Sequence, residues 1–193
     1  MSGRPDSSKL VARWIALTIA ASLVAAVDGG WLASWATFAP SRIWRGELWR
    51  LVTWVFVEGS PFQLVLTCVA IYHFGGELLP RWGERRMRRF LLEVLGGAAV
   101  VSSLLALIIR DLWLSYRFGG WAVADALVIA WARQYPDSTL VVYGLLRLRG
   151  RELVRITVGI TAVYAAFAGI FTWSLELLVC AAAYYYPPKR LIR

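Results

Sequence analysis

Ile43-Trp44-Arg45-Gly46-Glu47-Leu48-Trp49-Arg50-Leu51-Val52-Thr53-Trp54-Val55-Phe56 is neither a polar linker nor a clean apolar span, and its reading decides the fold. Aromatic and arginine side chains alternate along it. Such side chains carry an apolar body and a polar tip, so they settle where hydrocarbon meets headgroups. Trp31, Trp35, Trp44, Trp49 and Trp54 crowd this same part of the chain. Two readings fit: an ordinary aromatic belt, or a structured outer-leaflet element lying in the plane of the interface. Both need a membrane.

The rest of the sequence supplies one. Of 193 residues, 59% are hydrophobic, 14% aromatic and only 17% charged, against roughly 45–50% apolar and ~25% charged in soluble domains. A water-facing surface cannot be made from that mixture. The apolar content also excludes disorder, and two cysteines exclude a small disulfide scaffold. Cys68 and Cys180 lie inside apolar runs, where packing is expected rather than a disulfide.

A hydrocarbon core of ~30 Å takes about 20 apolar residues per helix, and fewer where a helix stops short of one leaflet. Working outward from the aromatic stretch, six segments qualify. They run from about Trp14 to Trp31, Pro61 to Leu79, Phe90 to Ile109, Phe118 to Ala132, Leu153 to Ala168, and Phe171 to Tyr186. Pro61 suits a first helical turn. Gly96-Gly97 and Ser102-Ser103 allow close helix approach, and Pro187-Pro188 ends the sixth segment. The fourth is too short to span alone. The expectation is an all-α membrane protein, one domain over residues 1–193. Residues 1–13 and 187–193 are cytoplasmic tails, and 41–60 form an outer-leaflet loop.

Charge placement orients the chain, because cytoplasmic loops are rich in Lys and Arg. With the start inside, sixteen basic residues fall in inner segments. They are Arg4, Lys9 and Arg13; Arg81, Arg85, Arg86, Arg88 and Arg89; Arg133, Arg147, Arg149, Arg151 and Arg155; and Lys189, Arg190 and Arg193. Five fall outside: Arg42, Arg45, Arg50, Arg110 and Arg117. The net charge of +9 therefore records insertion, not a nucleic-acid partner. Both termini are expected in the cytoplasm, in a bacterial inner (plasma) membrane. A cleaved signal peptide is the other reading of the first segment, since Lys9 and Arg13 precede an apolar run.

Trp49-Arg50-Leu51-Val52-Thr53 resembles the Trp-Arg-x-x-Thr element in the first loop of the rhomboid superfamily, which includes active intramembrane proteases and inactive derlins. Phe74-Gly75-Gly76-Glu77-Leu78-Leu79-Pro80-Arg81-Trp82-Gly83 is similar to the stretch closing the second rhomboid helix, with Leu79 at the usual Glu. Tyr135-Pro136-Asp137 and Tyr143-Gly144-Leu145-Leu146 look like the connection after the fourth helix. The likeness runs from about Gly46 to Pro187 and implies a six-transmembrane-helix rhomboid-like bundle with an interfacial first loop.

The resemblance also locates the positions where an active rhomboid keeps its chemistry. Serine needs a base to become nucleophilic, and an oxyanion needs preorganised donors. The nucleophile position falls on Trp121, followed by Ala122, and the oxyanion His and Asn positions fall on Gln63 and Thr67. Thr172-Trp173-Ser174-Leu175-Glu176 on the sixth helix holds no histidine. His73, the single histidine, lies near the inner end of the second helix, where it reads as a satisfied packing residue. No Gly-x-Ser-Gly occurs.

Ionisable groups inside spans are expensive and point to function. Asp125 lies one turn below Trp121, and Glu176 lies near the family's histidine position, so the two can approach each other or share a basic partner. An aspartyl-type pair lacks the motifs of intramembrane aspartyl proteases. Asp125 otherwise hydrogen-bonds helix-end backbone, Gln63 or Thr67, or meets a partner. Glu77, Glu93 and Asp28 pair with nearby Arg or snorkel. No metal spacing or nucleotide-, flavin- or phosphate-binding loop is present, so no cofactor is expected.

The resemblance implies a catalytically inactive protein that binds transmembrane segments of other proteins to hold, sort or assemble them. Trp49, Arg50, Gln63, Thr67, Trp121, Asp125 and Glu176 are its candidate pocket or partner-binding residues. A structural accessory subunit of a larger membrane assembly is the alternative, and an intramembrane serine protease with displaced catalytic residues a remote one. The expected partners are membrane lipid, including anionic lipid at Arg85-Arg86-Met87-Arg88-Arg89, and other membrane proteins.

Overall fold

The computed structural model of the chain describes residues 5–142 and 146–186, and the side chains of 9–139 and 148–186. In chain order, α1 is Pro5–Val27, followed by the short α2 Trp31–Ala36, α3 Pro40–Ile43 and α4 Arg50–Thr53, and a 3-10 turn at Trp54–Phe56. Next come α5 Pro61–Trp82, α6 at 84–105, α7 Arg110–Trp113 and α8 Gly120–Gln134. A hairpin of β1 Thr139–Val142 and β2 Leu146–Arg149 precedes α9 Gly150–Ala168 and α10 Ser174–Tyr185.

Helices thus occupy all six apolar segments. By length and composition two qualify as membrane crossings, Lys9–Val27 and Pro61–Trp82, with Ser174–Tyr185 a shorter apolar helix. The reason lies in length and charge. At 15 and 12 residues, α8 and α10 rise ~22 and ~18 Å, short of a ~30 Å core. Arg85, Arg86, Arg88 and Arg89 fill the first turns of α6, and Arg151, Glu152 and Arg155 those of α9. Helix α1 begins at Pro5, inside the segment expected as a tail, and Pro187-Pro188 lies outside the described residues.

The chain is mostly helical rather than all-α. Thr139↔Arg149 through Val142↔Leu146 pair antiparallel, because Thr139-Leu140-Val141-Val142 is β-rich and Leu146-Arg147-Leu148-Arg149 alternates with period two. Tyr143, Gly144 and Leu145 lie outside the described residues.

Local chemistry sets the helix ends. Asp28, expected to pair with Arg or snorkel, instead accepts the N–H groups of Gly30 at 2.8 Å and Leu32 at 2.7 Å, ending α1 and opening α2. Ser60 Oγ accepts from Gln63 N at 3.3 Å, with Pro61 in the first turn of α5. Gly83 separates α5 from α6 at φ +78, a conformation that a Cβ would strain.

Helix α8 is the centre, packing against α5, α9 and α10. Ala122, Val123, Ala126, Leu127, Ile129 and Ala130 are buried along it, with apolar neighbours on every side, as a helix enclosed by other helices requires.

The aromatic stretch folds as a structured, hydrogen-bonded element. Arg50 is fully buried. Its guanidinium donates to Glu47 Oε2 at 2.6 Å, the Thr37 carbonyl at 2.8 Å and the Ser34 carbonyl at 2.7 Å. Thr53 Oγ1 donates to the Ala36 carbonyl at 2.9 Å, so both polar residues of the Trp-Arg-x-x-Thr element clamp the end of α2. The Trp44 indole N–H donates to the Ser103 carbonyl on α6 at 2.9 Å.

Candidate functional site

The start of α8 is built by close approach. A Cβ at Gly119 would collide with Val55 Cα and the Trp54 carbonyl, and one at Gly120 with the Glu58 carboxylate. The loop 54–59 therefore lies directly on the helix end. Glu58 is 7% exposed, its backbone N–H donates to Ser22 Oγ on α1 at 3.1 Å, and neither carboxylate oxygen has a hydrogen-bond partner. Burial pushes this carboxyl up from 4.5 to about 7, against the smaller opposing influence of the Thr67 hydroxyl and the Gly120 N–H. Those two donors lie near the carboxyl but outside hydrogen-bond geometry, which is why burial prevails.

One residue further, Trp121 meets an aromatic cluster. Its ring stands edge-on to Tyr164 of α9 at 5.5 Å and to Trp173, before α10, at 6.3 Å. Tyr164 and Trp173 stack at 5.1 Å. Arg117 lies over Trp173 at 4.5 Å and donates through Nε to Glu176 Oε1 at 3.0 Å, with a second bond from its terminal nitrogen. Glu176 is 1% exposed, and its Oε2 has no partner. A largely buried ion pair and three rings, two stacked and one edge-on, thus close the space between α8, α9 and α10.

Asp125 lies one turn below Trp121. Its partners are neither helix-end backbone nor Gln63 nor Thr67. Thr161 Oγ1 on α9 donates to Asp125 Oδ2 at 2.8 Å, and Cys180 Sγ on α10 donates at 3.4 Å. This carboxyl joins three helices. Asp125 and Glu176 share no hydrogen bond, and the basic partner of Glu176 is Arg117.

The remaining candidates are dispersed. Thr67 is buried beside Glu58 and Gln63 is half-buried near the start of α5. Trp49 stacks on Trp35 at 5.4 Å, and Arg50 is sealed inside the loop. His73 sits in a π-helical turn, Ile71–Gly75, edge-on to Phe74. Its buried Nε2 has no hydrogen-bond partner, unlike the satisfied packing residue expected. Glu77 accepts the Trp131 indole N–H, whereas Glu93 pairs with Arg89 at 3.5 Å as expected. Among the described residues no three His, Cys, Asp or Glu side chains form a metal-ligand group.

Glu58, Arg117, Tyr164, Thr161 and Trp173 escape the sequence reading as site residues. The available signals were slight: a carboxylate between Val57 and Gly59 at the edge of an apolar segment, and an arginine just before a fourth segment too short to span.

The family described as "Eukaryotic integral membrane protein (DUF1751)" matches residues 9–186. Derlin-1 of Oryza sativa subsp. japonica is 26% identical over 132 residues, 68% of this chain and 53% of that protein. Derlin-1.1 of Zea mays is 32% identical over 105 residues, 53% of this chain and 41% of that protein. The chain spans about half the length of the curated relatives it matches. A eukaryotic family and plant relatives overturn the expected bacterial inner membrane. Basic loops face the cytoplasm in both settings, so charge placement gives orientation without identifying the membrane.

Proposed function

The chain belongs to the eukaryotic integral membrane protein family DUF1751 and is a derlin-like member of the rhomboid superfamily, and on that premise we propose that it is an inactive six-span protein of the endoplasmic reticulum membrane that binds transmembrane segments of other proteins. Both termini face the cytoplasm. The observation that supports the reading is the crowding of the positions that the rhomboid resemblance assigns to catalysis. Trp121, at the expected nucleophile position, packs against Tyr164 and Trp173, and the Glu58 carboxylate lies against Gly120 beside Thr67, an expected oxyanion position that calls for donors.

Client contact is assigned by this reading to a cleft between α5 and α9, above α8. Helices α5 and α9 each pack on α8 and expose large apolar side chains, with Phe62 73% and Phe167 90% exposed. Tyr164 is half exposed while touching Trp121, so a segment arriving between α5 and α9 meets the aromatic cluster first. Asp125 and Glu176 lie buried beneath it.

A photo-crosslinking residue at Tyr164 tests the cleft against one at Val100 on α6. Many sub-stoichiometric membrane proteins captured from Tyr164 and few from Val100 support client binding. One stoichiometric partner, retained after mild detergent extraction, supports the accessory-subunit alternative. Cleavage of a reconstituted transmembrane substrate, or labelling by a serine-directed fluorophosphonate, would restore the protease reading.

A further inference from the structure

An apolar cavity of about 350 Å³ lies between α1, the first loop and α6. That volume falls within the ~300–1,000 Å³ of small-molecule sites. Its walls include Leu17, Leu92 and Leu95, and the loop residues Val52, Val55 and Phe56 line it as well. Arg13 and Arg88, each in the inner part of its helix, also line it. Among the described residues neither arginine has a carboxylate partner, and no carboxylate lines the cavity.

The geometry points to a binding site for one anionic phospholipid of the cytoplasmic leaflet, its phosphate between Arg13 and Arg88 and an acyl chain along the leucines. Three features select this occupant. The lining residues run from Leu10 to Leu17 on α1 and from Arg88 to Gly96 on α6, ~10–12 Å of helix axis. A crossing helix needs ~30 Å, whereas one leaflet offers about half of that. Loop residues border the same cavity, so its occupant is leaflet-sized. Two arginines lining an apolar channel match a phosphodiester joined to hydrocarbon, since Arg binds phosphate through paired N–H donors. Finally, the wall contributed by Leu92–Gly96 is a π-helical turn, an irregularity frequent at functional sites, and a Cβ at Gly96 would meet nothing within 4 Å.

The site rests on the membrane orientation proposed above and not on client binding. The test is native mass spectrometry of the full chain in detergent, titrated with phosphatidylserine or phosphatidylcholine. The wild type is expected to hold one phosphatidylserine about tenfold more tightly than phosphatidylcholine. Arg13→Gln with Arg88→Gln should abolish that preference, and Gly96→Leu should weaken both lipids by filling the channel. Glycerol phosphate, which has no chain, should not displace bound lipid. Unchanged phosphatidylserine binding in both variants, or displacement by glycerol phosphate, overturns the proposal. Circular dichroism shows whether each variant is folded, and Tyr164 crosslinking unchanged in the arginine variant keeps the two sites distinguishable.

Discussion

Glu58 is a carboxyl placed where water does not reach it, and its titration carries a stability consequence. Folded, it titrates at about 7; exposed, it titrates near 4.5. Between those values the folded chain keeps a proton that the unfolded chain releases, so stability falls as pH rises from about 4.5 through about 7, by on the order of 3 kcal/mol. The thermal midpoint in detergent should drop across that window, and Glu58→Gln should reduce the drop. An unaltered pH slope in Glu58→Gln would place the titration elsewhere. Arg117 and Glu176 present the opposite case, a buried charge neutralised by its neighbour. Arg117→Gln should cost about 3–5 kcal/mol by leaving Glu176 uncompensated. Adding Glu176→Gln should recover most of that loss, as measured by the same thermal midpoint. Neither role was legible from the sequence, since Glu58 meets Gly120 and Arg117 meets Glu176 only after segments 59 or more residues apart have packed.

At the scale of elements, the first loop shows how much an interfacial pattern can convey. Trp-Arg alternation pointed to a boundary segment, but two of the three partners of Arg50 are carbonyls, which every residue carries and no pattern marks. Lysine would keep the charge without the planar fork that reaches Ser34, Thr37 and Glu47 together. Arg50→Lys should therefore weaken the loop by about 2 kcal/mol, read as faster hydrogen exchange of residues 34–54 with α8 unchanged. The junction of loop and α8 gives a second comparison. Gly119→Ala forces a Cβ into Val55 and Trp54 and should cost about 1–3 kcal/mol. Gly96→Ala, whose Cβ meets open space, should be neutral or nearly so by the same measurement.

For the whole molecule, the question is whether protease chemistry lies a few substitutions away. Trp121→Ser combined with Glu176→His supplies a nucleophile and a base by residue type, yet reconstituted transmembrane substrates should remain uncleaved. Losing Glu176 frees Arg117, Ala122 stands beside the new serine, and Glu58 still presents a carboxyl where a developing oxyanion needs donors. Robust proteolysis would show that the space is not blocked as described. Local composition determined the membrane environment and the six helical segments. Each follows from nearest-neighbour chemistry or from apolar run length, which a linear chain displays. The structure alone decided that α8 is the hub, that Asp125 joins α9 and α10, that Arg117 neutralises Glu176 and that residues 139–149 include a hairpin. Buried polar groups take whichever partner the packing brings within about 3 Å, and that choice is made between distant segments only when the helices close around one another.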